Sequence, residues 1–302
     1  MVLDHQHDRP LVNADIYLAD VPRLGLEVGR GGRLQRELVE RVAVEVRDAV
    51  PGYKLAQTIG VPALYGEFAG RLLGVARLCD GAEPIPYRDL VGASVRSLMA
   101  DLEDSTSAVR SESGWTPLWM SMRRMPEGRL AAILGLRLVR DGLLRAAKIG
   151  STTDALHLFV DRKEAKQLVS AAWLDRIARF DCGEETEICE HFLQFLLVCG
   201  RPLFDALRHA GIINPRREAP RDSMRAGIRK MFDPAAVRRL RSRHVTRGEF
   251  TLLIPEARRN PLDYARKLGI PVSLRLEGEE GRNVLLDREA MMDRIRDCVR
   301  NI

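Results

Sequence analysis

Apolar residues recur every fourth position at Leu34, Leu38, Val42, Val46 and Val50 within "LQRELVERVAVEVRDAV", with most of the charged residues in the intervals. That spacing lays a stripe along one helical face, so an amphipathic helix is predicted in residues 1–50. A pattern of longer period follows. Apolar and basic stretches of helical cadence reach a glycine in "LRLVRDGLL", "LFDALRHAGII" and "LDYARKLGIPV", at Gly142, Gly211 and Gly269. Glycine after a last turn carrying Arg, Lys or His marks a helix C-terminus, where the chain turns through a left-handed conformation. Apolar residues after each glycine predict a short strand. A polar interval comes next ("KIGSTTD", "NPRREAPRDS", "LEGEEGRN"), then a second apolar run ("LHLFV", "KMF", "VLL"), and strand, polar loop, strand reads as a β-hairpin.

Each second run ends at an aspartate, Asp161, Asp233 or Asp287, placed where a helix N-cap belongs. A carboxylate there accepts free amides of the first turn, and Pro234 suits a first helical position. Asp161 with Glu164 also has capping-box spacing. Another helix is expected upstream of each glycine, in "TPLWMSMRRMPEGRL", "ETEICEHFLQFLLVCG" and "IPEARRNP". The unit is then helix, turn, helix, glycine, hairpin, helix, the order of a winged helix-turn-helix. Three units are expected over 115–175, 180–243 and 248–302. A degenerate fourth is a candidate over 51–114, where "YKLAQTIGVPALYGEFAGRLLGVARL" reaches Gly74 and Asp89 stands a residue or two out of place. The predicted fold class is mainly α with small β-hairpin wings, in tandem winged helix-turn-helix repeats.

These residues, "DGLLRAAKIGSTTDALHLFVDRKEAKQL" above all, resemble the MerR and excisionase type of winged helix-turn-helix. A tandem array after an amphipathic helix and a "VPGYKLAQTIGVP" segment is similar to the C-terminal part of TniQ-family transposition proteins. The resemblance implies a non-catalytic DNA-binding adaptor that helps place a transposon or acts beside a recombinase. It also implies paired cysteines and a histidine for zinc in an N-terminal part, and this chain has no CxxC.

Charge sharpens the picture. The chain of 302 residues carries a net +6, but Asn214 to Arg247 holds 11 Lys and Arg against 3 Asp and Glu. That local +8 leaves −2 for the remainder, and so dense a basic block commonly meets phosphate. Phosphate contacts are expected from Arg216, Arg217, Arg221, Arg225, Arg229 and Lys230. Base contacts are expected from the second helices: Arg129 and Arg137 in the first unit, Arg201, Asp205 and Arg208 in the second, and Arg259, Asn260 and Arg266 in the third.

Other chemistry is sparse. Cys182, Cys189, His191 and Cys199 lack the tight pair of a structural zinc site, so no metal is expected and the five cysteines read as reduced core residues. "GRGG" at Gly29 lacks the ending of a phosphate-binding loop, and no nucleophile elbow or HExxH pair occurs. Trp115 and Trp119 are expected to pack together in a core at helical spacing. No cofactor and no enzyme activity are expected. No apolar run reaches the roughly 20 residues of a membrane helix, and "MVLDHQHDRP" lacks the regions of a secretion signal, so a cytoplasmic protein is expected. The expected partner is duplex DNA, with a transposase, recombinase or other protein beside it, in transposition, DNA recombination or transcription regulation. The alternative is a protein-protein adaptor built on the same modules, which the acidic "LEGEEGRN" favours locally.

Overall fold

The structure, a computed structural model, describes residues 36–77, 90–107, 110, 112–148, 155–183, 188–215, 231–277 and 283–300. They are mainly helical, with small antiparallel sheets. The chain opens with α1 (Arg36–Asp48), α2 (Gly52–Ile59), a 3-10 turn (Ala63–Tyr65), α3 (Gly66–Leu72) and α4 (Gly92–Ser107). It continues through β1 (Thr116–Pro117), α5 (Leu118–Met122), α6 (Gly128–Arg140), a 3-10 turn (Ala155–His157), β2 (Phe159–Val160) and α7 (Arg162–Asp181). A third stretch holds β3 (Ile188–Cys189), α8 (Glu190–Leu197), α9 (Arg201–His209), β4 (Met231–Phe232) and α10 (Pro234–Arg243). The last holds β5 (His244–Thr246), α11 (Arg247–Leu253), a 3-10 turn (Pro255–Arg259), α12 (Pro261–Lys267), β6 (Val272–Arg275), β7 (Val284–Asp287) and α13 (Arg288–Arg300).

One local device recurs in all four stretches. After α3, α6, α9 and α12 the chain turns at Gly74, Gly142, Gly211 and Gly269, with φ of 65°, 70°, 68° and 72°. Each glycine amide bonds the carbonyl three residues back (Arg71, Val139, Arg208, Arg266), and the next amide reaches five back (Gly70, Leu138, Leu207, Ala265), at 2.8–3.2 Å. This paired closure is a Schellman cap, and its left-handed residue is why glycine stands there four times.

The chain divides into two compact units. The described residues of the first are 36–77, 90–107, 110, 112–117, 136–148 and 155–161. Here α1 buries Val42, Ala43 and Val46 but stops at Asp48, because Val50 instead exchanges backbone hydrogen bonds of 2.9 and 3.1 Å with Leu90. Pairing outcompetes the helical spacing. Leu90 also bridges Arg77, β1 pairs antiparallel with β2, and Ala147 bridges Phe159. Asp48 holds Arg96 in a two-point pair of 2.7 and 2.8 Å, which keeps its carboxyl below the usual range.

The second unit comprises the described residues 118–135, 162–183, 188–215, 231–277 and 283–300. Its strands pair as β3 with β4, and as β5 with β7 with β6. The indole of Trp173 is fully buried, stacks 4.6 Å from Phe195 and donates to the Phe195 carbonyl at 2.8 Å. Val245, Phe250, Ala257, Ala265, Ile270, Leu286 and Met291 form a further core. Each such large side chain contributes about 1.5–3 kcal/mol on burial.

The three aspartates stand between strand and helix as expected. Asp233 accepts from the Ala235 amide at 3.1 Å and Asp287 from the Ala290 amide at 2.8 Å, while Asp161 immediately precedes α7. In the opening stretch the corresponding residue is Val91; Asp89 lies outside the described residues. Several expectations shift. Among the described residues only β6 and β7 make a full hairpin arm pair; the first two units show single bridges at Ala147 and Pro215. "LHLFV" is a strand only at Phe159–Val160. "IPEARRNP" contains a 3-10 turn, not the first helix, which is α11, too short for a period to reveal. The last stretch begins at β5, four residues before the expected boundary at 248. Trp115 precedes β1 and is buried, whereas Trp119 and Met120 on α5 are exposed.

Candidate nucleic-acid interface

The helices just before the recurring glycines were expected to read bases, and they differ in what they leave open. α6 is buried continuously from Leu130 to Leu136, and Gly135 lies so close to Leu118 that a Cβ there would stand 2.8 Å from it. A helix apolar on so many sides is a core element. Arg137 is half-buried, donating from Nη1 to the Leu72 carbonyl at 2.8 Å and from Nε to Asp141 at 2.7 Å. Arg140 donates to the Leu73 carbonyl and to Asp141. The two guanidiniums thus cover the carbonyl end of α3, where the helix dipole favours cations. Arg137 was expected to face DNA and instead holds α3; only Arg129, at the start of α6, is exposed.

α9 is more open. Arg201 donates from Nε to Asp205 at 2.8 Å, also pairs with Glu190, and lies 5.5 Å from the Phe204 ring centroid. The Asp205 hydrogen bond, helped by Glu190 against partial burial, raises the Arg201 pKa. Arg208 stands 3.9 Å from Asp205 and 6.0 Å from the same ring centroid. Asp205 therefore clamps two arginines over one aromatic surface.

Arg259, Asn260 and Arg266 line an open depression of about 590 Å³ with Glu256, Asp263, Tyr264 and Lys267. Asp263 accepts from both Asn260 and Arg266. Arg216, Arg217, Arg221, Arg225, Arg229 and Lys230 lie outside the described residues.

Two groups of cations escaped the linear reading. Arg241, 2% exposed, donates to Asp181 at 2.8 and 2.9 Å, to Glu249 at 2.9 and 3.1 Å, and to the Leu196 carbonyl at 2.8 Å. Burial acts to lower its pKa, but the two carboxylates outweigh burial and raise it. Glu249 also accepts from Arg288 at 2.7 Å. The second group is Arg124 after α5, Arg162 and Lys166 on α7, and Arg258 in the Pro255–Arg259 turn. Burial, then Arg162, Arg258 and Arg124 in that order, push the Lys166 ammonium below its usual range. The fragments "MRRMPEG" and "DRKEAK" showed these charges individually, but not that they meet.

Cys189 and Cys199 are buried and Cys182 is exposed. Burial and the nearby Glu127 push the Cys199 thiol up, so it sits as a neutral core group. Among the described residues no three His, Cys, Asp or Glu side chains gather to hold a metal, and no helix is long and apolar enough to cross a membrane. Comparison of the chain with protein-family models, curated proteins and solved structures finds no match.

Proposed function

We propose that the chain is a tandem array of winged helix-turn-helix modules that binds duplex DNA without catalysis, in transposition, recombination or transcriptional control of a mobile element. The carrying observation is the fourfold return of one order: a short strand or bridge, a first helix, a second helix, a left-handed glycine cap, a returning strand and a helix. A second helix closed at its C-terminal end by the same cap in every copy is a defined element to present to a groove. The array then has four members, the opening stretch being the fourth. The basic block at 216–230 falls between α9 and β4, the position of a wing, and supplies a dense sequence of phosphate-seeking cations.

Within this reading α9 carries the base contacts of its module, and α12 those of the last. Arg137 is removed from that role, and Arg201, Arg208, Arg259 and Arg266 keep it. The protein-protein adaptor is the second reading, favoured by one observation: Asp205 and Asp263 already pair with the arginines beside them.

Fluorescence anisotropy of a labelled duplex through a salt series tests the choice. Log K for a DNA binder falls against log salt at about −0.9 per phosphate engaged. Replacing Arg216, Arg217, Arg221 and Arg225 with alanine should flatten that slope for all duplexes alike. Arg201→Ala should cost about 1–3 kcal/mol at one base position only. A flat, unbound trace from the unmodified protein at about 50 mM salt rejects DNA and leaves the adaptor.

A further inference from the structure

The basic block at 216–230 announces itself in the sequence. The cluster of Arg124, Arg162, Lys166 and Arg258 does not, and the protein treats it unlike its other interior charges. The four cations come from three separate elements of the second unit: the turn between α5 and α6, the first turn of α7, and the 3-10 turn between α11 and α12. α7 packs against both α5 and α11, and α11 packs against that 3-10 turn, so the cluster is assembled by the core beneath it. Lys166 and Arg258 are half-buried; Arg124 and Arg162 are exposed.

None of the four has a carboxylate partner among the described residues. Pairing is the rule nearby: Arg179 has Asp175, Arg201 has Glu190 and Asp205, Arg266 has Asp263, and Arg288 has Glu249. Glu164 and Glu256 share elements with the cluster, yet neither is among the charges that set the Lys166 ammonium, which responds only to burial and to three arginines. Holding four like charges together costs stability unless an anion joins them. The Nε–H of Arg258 is buried with no hydrogen-bond acceptor among the described residues.

From this placement we infer that Arg124, Arg162, Lys166 and Arg258 form a phosphate clamp that grips the sugar-phosphate backbone of duplex DNA. The inference rests on the DNA-binding reading and adds a contact site to it. Two of the three elements are the turns between the first and second helices of two modules, the second and the last of the four, so one clamp takes its cations from two modules that are not neighbours in the sequence. No aromatic side chain belongs to the cluster, so it offers charge and donors without a stacking surface for bases. Its contribution is to affinity and register, not to sequence choice.

The test uses the full chain and a triple variant, Arg124→Gln, Lys166→Gln and Arg258→Gln. Anisotropy of a labelled duplex between about 50 and 200 mM salt should show the slope of log K against log salt shallower by about two to three, with preference among duplexes unchanged. Lys166→Gln alone should lower the slope by about one, and Lys166→Arg should restore it. The single variant should melt no lower than the unmodified protein, which separates a lost contact from a damaged fold. Equal slopes for unmodified and triple-variant protein overturn the clamp while the DNA reading stands. A flat trace from the unmodified protein overturns both. A third arm compares melting in inorganic phosphate and in chloride at matched ionic strength: stabilisation that needs Lys166, without duplex affinity, gives the cluster to a small phosphate ligand and overturns the backbone assignment.

Discussion

The two ends of α7 handle positive charge in opposite ways. Near its C-terminal residue, Asp181, Arg241 is almost wholly buried yet strongly held as a cation, with two carboxylates and a backbone carbonyl satisfying its donors. At its first turns, Arg162 and Lys166 sit more exposed, beside two further arginines; Glu164 stands on the same turn, but no ion pair joins it to either cation among the described residues. The helix dipole reinforces the contrast, since it favours cations at the C-terminal end and opposes them at the N-terminal end. Depth of burial does not decide whether a charge is stable here; the supply of partners does. Arg241 ties α7, α8, α10 and α11 together. The N-terminal cluster has no such partner among the described residues, and in the reading proposed above it takes an anion from outside.

The largest effect should come from breaking the satisfied end. Arg241→Ala leaves Glu249, itself 2% exposed, with Arg288 as its remaining strong partner, and should cost about 3–5 kcal/mol in urea unfolding. Its duplex salt slope, measured where the variant is still folded, should not change. A loss below about 1 kcal/mol would show that the network contributes no more than a surface pair.

Asp181→Asn probes the same end more gently. The Asp181 side chain is 37% exposed, so solvent screens much of the pair, and a loss of about 0.2–1 kcal/mol is expected. A cost equal to that of Arg241→Ala would mean that Asp181, not Glu249, is the decisive partner.

The smallest change should carry the opposite sign. Lys166→Met removes one of four mutually repelling charges and keeps the apolar stem, so melting temperature should rise slightly, by the equivalent of a few tenths of a kcal/mol. Its pH dependence follows from the lowered pKa. Between the folded value and the ordinary 10.5, the unfolded chain binds more protons, so this group's penalty is complete below the folded pKa and fades as pH rises towards 10.5. The advantage of Lys166→Met should therefore shrink in alkali. An advantage that persists unchanged above that range would assign the gain to apolar contact instead of relieved repulsion.

Local chemistry made much of the fold legible. Glycine before an apolar residue needs only its own backbone freedom to close a helix, so Gly142, Gly211 and Gly269 were readable one by one, and so were the capping positions of Asp233 and Asp287. Short elements were less readable: α11 and the two-residue strands are fixed by their partners across the sheet and core, not by any period of their own. Val50 shows the same competition, since its spacing continued α1 while Leu90, far along the chain, drew it into a bridge.

The functional surface divides along that line. A dense basic segment such as 216–230 is visible in any linear reading, because neighbours in sequence share their charge whatever the fold. Whether a single arginine is free or spent depends on what the tertiary structure brings to it. Arg137 looked like a reader of bases until the end of α3 took its donors. Arg241 looked like one more cation in a basic block until Asp181 and Glu249 enclosed it. Lys166 carried no assignment in the linear pattern, and its ammonium is shifted by burial and then by Arg162, Arg258 and Arg124, two of them from other elements. Sequence alone determined the repeating caps and the sign of the charge, for both are properties of adjacent residues; only tertiary structure sorted the cations into struts and open contacts, because electrostatic energy depends on distance in space.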